Sequence, residues 1–167
     1  MKPANLMTDE DIVKLSTRED VQSLTNELIG HANLEILLFT EDLEPSVFDH
    51  QVILDSIKDR LIQNRNCVFK ILIKDSRKAV QSAHRLVELG RRLSPQIVFK
   101  KPSPHLQKVD STFLIIDNKG YLFRPRADRY IGRAGLDNPL DVRPLKELFD
   151  EHWKYAEDDM ETRRLIL

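Results

Sequence analysis

Apolar residues along this chain follow two alternating rhythms. From Ser16 to Gly30, Val21, Leu24, Leu28 and Ile29 recur three and four residues apart, which predicts a helix. Ser16, with Glu19 three residues on, reads as its N-terminal cap, and Gly30 as its stop. Leu34–Thr40 is then apolar on consecutive positions, the pattern of a strand buried on both faces. The helical rhythm returns from Ser46 to Asn64, where Val47, Phe48, Ile53, Leu54, Ile57, Leu61 and Ile62 form one stripe. Cys67–Ile73 is a second strand, rich in β-branched residues. Ser76 to Leu93 reads as one helix, ended by Pro95, and Gln96–Lys100 as a third strand. Short connections between alternating strands and helices predict parallel pairing.

The second half changes character. Lys101–Lys108, with Pro102 and Pro104, must be a surface loop. Thr112–Ile116 and Tyr121–Arg124 flank Asn118-Lys119-Gly120, a β-hairpin signal. Arg124–Asn138 is irregular, with a short strand expected at Tyr130–Arg133. Leu145, Leu148, Phe149, His152 and Trp153 mark a C-terminal helix, and a tail helix is expected over Asp158–Leu167. Residues 1–15 read as a flexible lead-in, and 16–167 as a single α/β domain with a mixed sheet covered by helices.

Composition narrows the function classes. The chain has 167 residues, 41% hydrophobic and 32% charged, an ordinary balance for one soluble domain. Lys and Arg number 26 against 27 Asp and Glu, a formal net charge of −1, so no global field draws the protein to nucleic acid or an anionic membrane. The N-terminal stretch is interrupted by Asp9, Glu10 and Asp11 and does not read as a signal peptide, so a cytoplasmic location is expected. Cys67 is the single cysteine, which excludes an internal disulfide and reads as a buried small hydrophobe. His31, His50, His105 and His152 are scattered, and His84 falls on the apolar face of its predicted helix. No pair has the spacing of helical metal ligands, so neither metal nor cofactor is expected.

The strand-helix order, the Lys74-Asp75 strand end and the hairpin carrying Asp117 resemble one half of a phospholipase D-type enzyme. That resemblance implies a motif in which His attacks phosphorus, Lys two residues on holds phosphate oxygens, and Asp supports them. Placing Asp117 at the motif aspartate puts Asp110 at the histidine position and Thr112 at the lysine position. Neither can do that chemistry: a carboxylate repels a phosphodiester, and threonine carries no charge. "LFTEDLEP", "SAHRLVELGRRLSP", "GYLFRPRADRYIG" and "ETRRL" further resemble an uncharacterised bacterial phospholipase D-like domain family. That family occurs alone or C-terminal to GNAT-type acetyltransferase domains, which implies an acetyltransferase as one partner. This chain carries no Gly-rich turn of its own for acetyl-CoA.

What remains for binding is basic. Arg124, Arg126, Arg129 and Arg133 fall within ten residues, and Lys100 ends a neighbouring strand. Guanidinium forks match phosphate geometry, so these five are the candidate anion site. The structural alternative is that Arg124, Arg126 and Arg129 pair with Asp117, Asp128 or Asp137. The expected function is a non-catalytic domain that binds a protein partner or a small anionic, phosphate-bearing ligand. The alternatives are a divergent phosphodiesterase acting as a homodimer, and a nucleic-acid-associated accessory domain. Leu165, Ile166 and Leu167 are costly to expose and suggest a homodimer contact.

Overall fold

The computed structural model describes residues 12–163. One eight-stranded mixed sheet forms the centre, in the order β1-β7-β6-β5-β2-β3-β4-β8. Its parallel core is β2 (Glu35–Thr40), β3 (Val68–Ile73) and β4 (Ile97–Lys101), the three apolar runs. β5 (Thr112–Ile116) lies antiparallel to β2 and pairs with β6 (Gly120–Arg124) as the expected hairpin. β7 (Gly132–Gly135), β1 (Ile12–Leu15) and β8 (Glu157–Asp158) complete the sheet at its two sides.

Two apolar layers hold helices on the two faces. On one face α1 (Arg18–Gly30), α2 (Gln51–Gln63) and α4 (Arg85–Arg92) bury Ile36, Leu38, Phe69, Ile71, Leu114 and Ile116. On the other, α5 (Pro139–Lys154) covers Leu37, Phe39, Phe113, Ile115 and Tyr121 with Val142 and Phe149. Both faces of β2 and β5 are therefore buried, which explains their unbroken apolar sequence.

The structure corrects several boundaries. The flexible lead-in cannot extend to residue 15, because Ile12–Leu15 pairs with β7; residues 1–11 lie outside the described residues. Thr17, not Ser16, caps α1: its hydroxyl accepts from the Asp20 N–H, while the Asp20 carboxylate accepts from the Ser16 and Thr17 N–H groups. The long helix expected from Ser46 divides into a π-helical turn (Glu44–Phe48) and α2. The helix expected from Ser76 to Leu93 divides into α3 (Arg77–Gln81) and α4. His84 stands between them, fully buried, and its Nδ1 accepts from the Leu86 N–H. The short strand expected at Tyr130–Arg133 forms two residues later. The tail helix is α6 (Met160–Arg163), and Leu165, Ile166 and Leu167 lie outside the described residues.

Candidate functional site

The parallel strands β2 and β3 both end at the same edge of the sheet, where their carbonyl ends open into a cleft. Its volume is about 540 Å³. Thr40, Glu41, Asp42, Glu44 and Pro45 line it from the end of β2, and Lys74 from the end of β3. Gln107, Asp110 and Thr112 come from the approach to β5, and Arg126, Ala127 and Asp128 from the loop after β6. A larger hollow of about 800 Å³ shares Glu41, Lys74 and Gln107 with it. No histidine is among the residues lining either space.

Two of the three positions that the sequence resemblance sets against the motif, Asp110 and Thr112, meet here. Asp110 is exposed at the cleft. Thr112 is buried, and its hydroxyl donates to the Phe39 carbonyl at 2.7 Å. Asp117 lies at the other end of β5, roughly 17 Å away along the strand. Its carboxylate accepts from the Asn33, Leu34 and Glu35 N–H groups at 2.7–2.9 Å. Asp117 thus stitches the β5–β6 turn to the entry of β2 and takes no part in the cleft.

The candidate anion residues do not converge. Arg124 is 2% exposed. Its guanidinium bonds Glu44 at 2.6 Å and the Arg129 and Ala127 carbonyls at 2.7 and 3.0 Å. Thr112 is its direct cross-strand neighbour, so the one fully buried cation near the motif lysine position is already neutralised by Glu44. Arg126 reaches the cleft but forks onto Asp128 at 3.0–3.1 Å. That pairing holds the Asp128 carboxyl below its ordinary range. Arg129 is exposed, does not line the cleft, and meets Arg124 only through its backbone carbonyl. Arg133 lies over the Phe123 ring, on the face opposite Arg124. Lys100 is on β4, separated from β6 by three strands, and packs over Trp153. The structural alternative weighed for these arginines is therefore realised for Arg126 with Asp128; the partner of Arg124 is Glu44, a residue outside that reading.

Sequence reasoning missed Lys74 and Glu41. Lys74 sits where cleft and hollow join; its side chain is 8% exposed and its ammonium group donates to the Val109 carbonyl at 2.8 Å and meets Glu41 at 3.0 Å. Their positions at two adjacent parallel strand ends were the available signal, since ligands of open α/β sheets gather there. Of the lining carboxylates, Glu41, Glu44 and Asp128 are paired with Lys74, Arg124 and Arg126, and Asp42 and Asp110 are in excess, so the cleft is acidic. Among the described residues no group of three or more His, Cys, Asp or Glu side chains is placed to hold a metal ion, and no helix is long and apolar enough to cross a membrane.

The fold is shared with phospholipase D-family structures. A phospholipase D family member, Nuc from Salmonella typhimurium, is 14% identical over 89% of this chain and 97% of its own, with a TM-score of 0.60. NucT from Helicobacter pylori is 10% identical over 89% and 98%, with a TM-score of 0.58. TrmBL2, described as an archaeal chromatin protein with a novel mode of DNA binding, is 21% identical over 90% of this chain, with a TM-score of 0.63. This chain spans about half, 54%, of that protein. No curated protein sequence matches. Residues 17–165 match the family model described as a domain of unknown function, DUF7931, and the chain belongs to that family.

Proposed function

We propose that this DUF7931 chain is a non-catalytic phospholipase D-like domain that recognises a protein partner through the cleft at the ends of β2 and β3. One observation carries the reading. The cleft presents Asp110 and Thr112, the residues that the sequence resemblance sets at the motif histidine and lysine, and both its cations, Lys74 and Arg126, are held by carboxylates. A phosphodiester entering it meets no nucleophile that can be protonated and released near neutral pH. It also meets more negative charge than positive. The shape of a binding site remains, but its charge favours a basic or neutral segment over a phosphate group.

The resemblance to domains found C-terminal to GNAT-type acetyltransferases supports such an enzyme as the partner. The test has two arms. Purified protein is incubated with a chromogenic phosphodiester, and no turnover above background is expected. In parallel, binding to a separately expressed acetyltransferase domain of the GNAT type is measured by calorimetry, with Asp110→Lys as the cleft variant. Binding that weakens at least about tenfold in the variant supports the reading, since each charged contact is worth about 1.5–3 kcal/mol. Phosphodiester turnover abolished by Asp110→Ala would refute it.

A further inference from the structure

The sheet face under α5 is only half covered. α5 lies over β5 and β6. On β3 and β4 the opposite face is sealed, with Phe69, Ile71, Ile97 and Phe99 all buried beneath α2 and α4. On the α5 face of those strands Leu72 is buried in the α5 layer, while Val68, Lys70, Val98 and Lys100 are partly exposed. Trp153, from the last turn of α5, stands beside the two lysines. Its ring stacks on Phe149 with centroids 5.6 Å apart. The Lys70 ammonium lies 5.5 Å and the Lys100 ammonium 4.6 Å from the Trp153 ring centroid.

Among the described residues neither lysine has a carboxylate partner. Asp158 is directly opposite Lys100 in the β4–β8 register, but its carboxylate is taken by Arg163 at 2.7 Å. Asp150 and Glu35, which flank the same end of α5, both hold Lys146, at 2.6 and 3.6 Å. Two ammonium groups thus share one indole on a partly open, partly apolar surface. Their mutual repulsion is relieved by the electron-rich ring face they share.

We propose that this surface docks an acidic extended segment of a partner protein, whose carboxylates two residues apart meet Lys70 and Lys100. Spacing supports this occupant. Lys70 and Lys100 are diagonal neighbours on adjacent parallel strands, roughly 8 Å apart for strands about 4.8 Å apart and an offset of two residues. Alternate residues of an extended chain are spaced by roughly 6.5–7 Å and point to one side. A nucleic acid is the weaker fit. Its affinity rises with the number of phosphates neutralised, and only two unpaired cations stand here beside Glu157 and Asp158.

Trp153 is the only tryptophan in the chain, so its fluorescence reads this surface directly. The probe is a blocked octapeptide alternating Glu and Val, titrated into the full chain; the control is the same peptide with Gln for Glu. A saturable fluorescence change is expected with the Glu peptide. Replacing both lysines, Lys70→Gln with Lys100→Gln, should weaken binding at least about tenfold, the worth of one charged contact at 1.4 kcal/mol. Lys101→Gln, which alternates to the other side of β4, should leave it unchanged, and all variants should keep the wild-type circular dichroism spectrum. Equal responses to the Glu and Gln peptides, or wild-type binding by the double variant, would overturn the proposal. So would tighter binding by a single-stranded oligonucleotide or by inorganic phosphate alone. A concentration-dependent dimer that the double variant abolishes, with no response to the peptide, would also overturn it by assigning the surface to a second copy.

Discussion

Asp117 and His84 show how single residues here look chemical and act structurally. Asp117 is the residue that the sequence resemblance sets at the motif aspartate, yet its carboxylate is spent on three N–H groups at the entry of β2. Asp117→Ala should therefore destabilise the fold by about 1–3 kcal/mol, because those donors lose their acceptor. Urea unfolding checks this, and ligand affinities of the folded variant should not move. His84 donates from Nε2 to the Leu43 carbonyl while Nδ1 accepts from Leu86, so the fold requires the neutral ring. Burial depresses its pKa below the usual 6.5, with Asp42 and Asp49 opposing that and Arg85 adding to it. The unfolded chain then takes up the proton first as pH falls. Stability is fully present above pH 6.5 and declines below it, toward the lower folded pKa. Glu27 works in the opposite sense, since burial raises its carboxyl pKa. The test is therefore a difference: between pH 7 and pH 5, wild type should lose more stability in urea than His84→Asn does.

Among the elements, those with local signals were legible and those made by distant pairing were not. β2 and β5 announced themselves because both faces are buried, β3 by its apolar, β-branched run, and the hairpin because Asp117 and Asn118 adopt positive φ beside Gly120. β7 reads Gly-Arg-Ala-Gly and has no apolar rhythm. A Cβ at Gly132 would come within 2.2 Å of the Phe123 carbonyl oxygen, so the sheet selects glycine where sequence reading sees a loop. The breaks at Ala83 and at Leu43–Glu44 carry positive φ in non-glycine residues, held by tertiary contacts that no propensity encodes. The candidate site was legible in part for the same reason. Asp110 and Thr112 were reached by laying the motif of the resembled family on the chain at Asp117, whereas Lys74 and Glu41 come together only through sheet order. Arg124 belongs to this scale too. It ties β6 to the π-helical turn through Glu44 and to the following loop through two carbonyls. Arg124→Ala should cost about 3 kcal/mol, the penalty for leaving a buried partner unpaired. Chemical denaturation of the variant would show that loss; a change within ±0.5 kcal/mol would mean the arginine is not part of the scaffold.

For the whole molecule, a formal net charge of −1 conceals an uneven distribution. The cleft at the strand ends is acidic, while Lys70 and Lys100 make a small basic spot on the α5 face. This separation gives two surfaces opposite preferences without any global field. It also predicts how the cleft responds to phosphate. At constant ionic strength, replacing chloride by phosphate should leave the melting temperature of the wild-type protein unchanged, because Arg126 is held by Asp128 and Lys74 by Glu41. Asp110→Asn combined with Asp128→Asn removes two of the five lining carboxylates and releases Arg126. That variant should gain a phosphate-dependent rise, reaching about 2.7 kcal/mol when phosphate is 100 times its dissociation constant. For a domain of this size that is a rise of roughly 5–10 °C. Differential scanning calorimetry with and without phosphate decides it. If wild type is stabilised as much as the double variant, the carboxylates do not govern the cleft, and its preference for a basic or neutral partner would have to be given up.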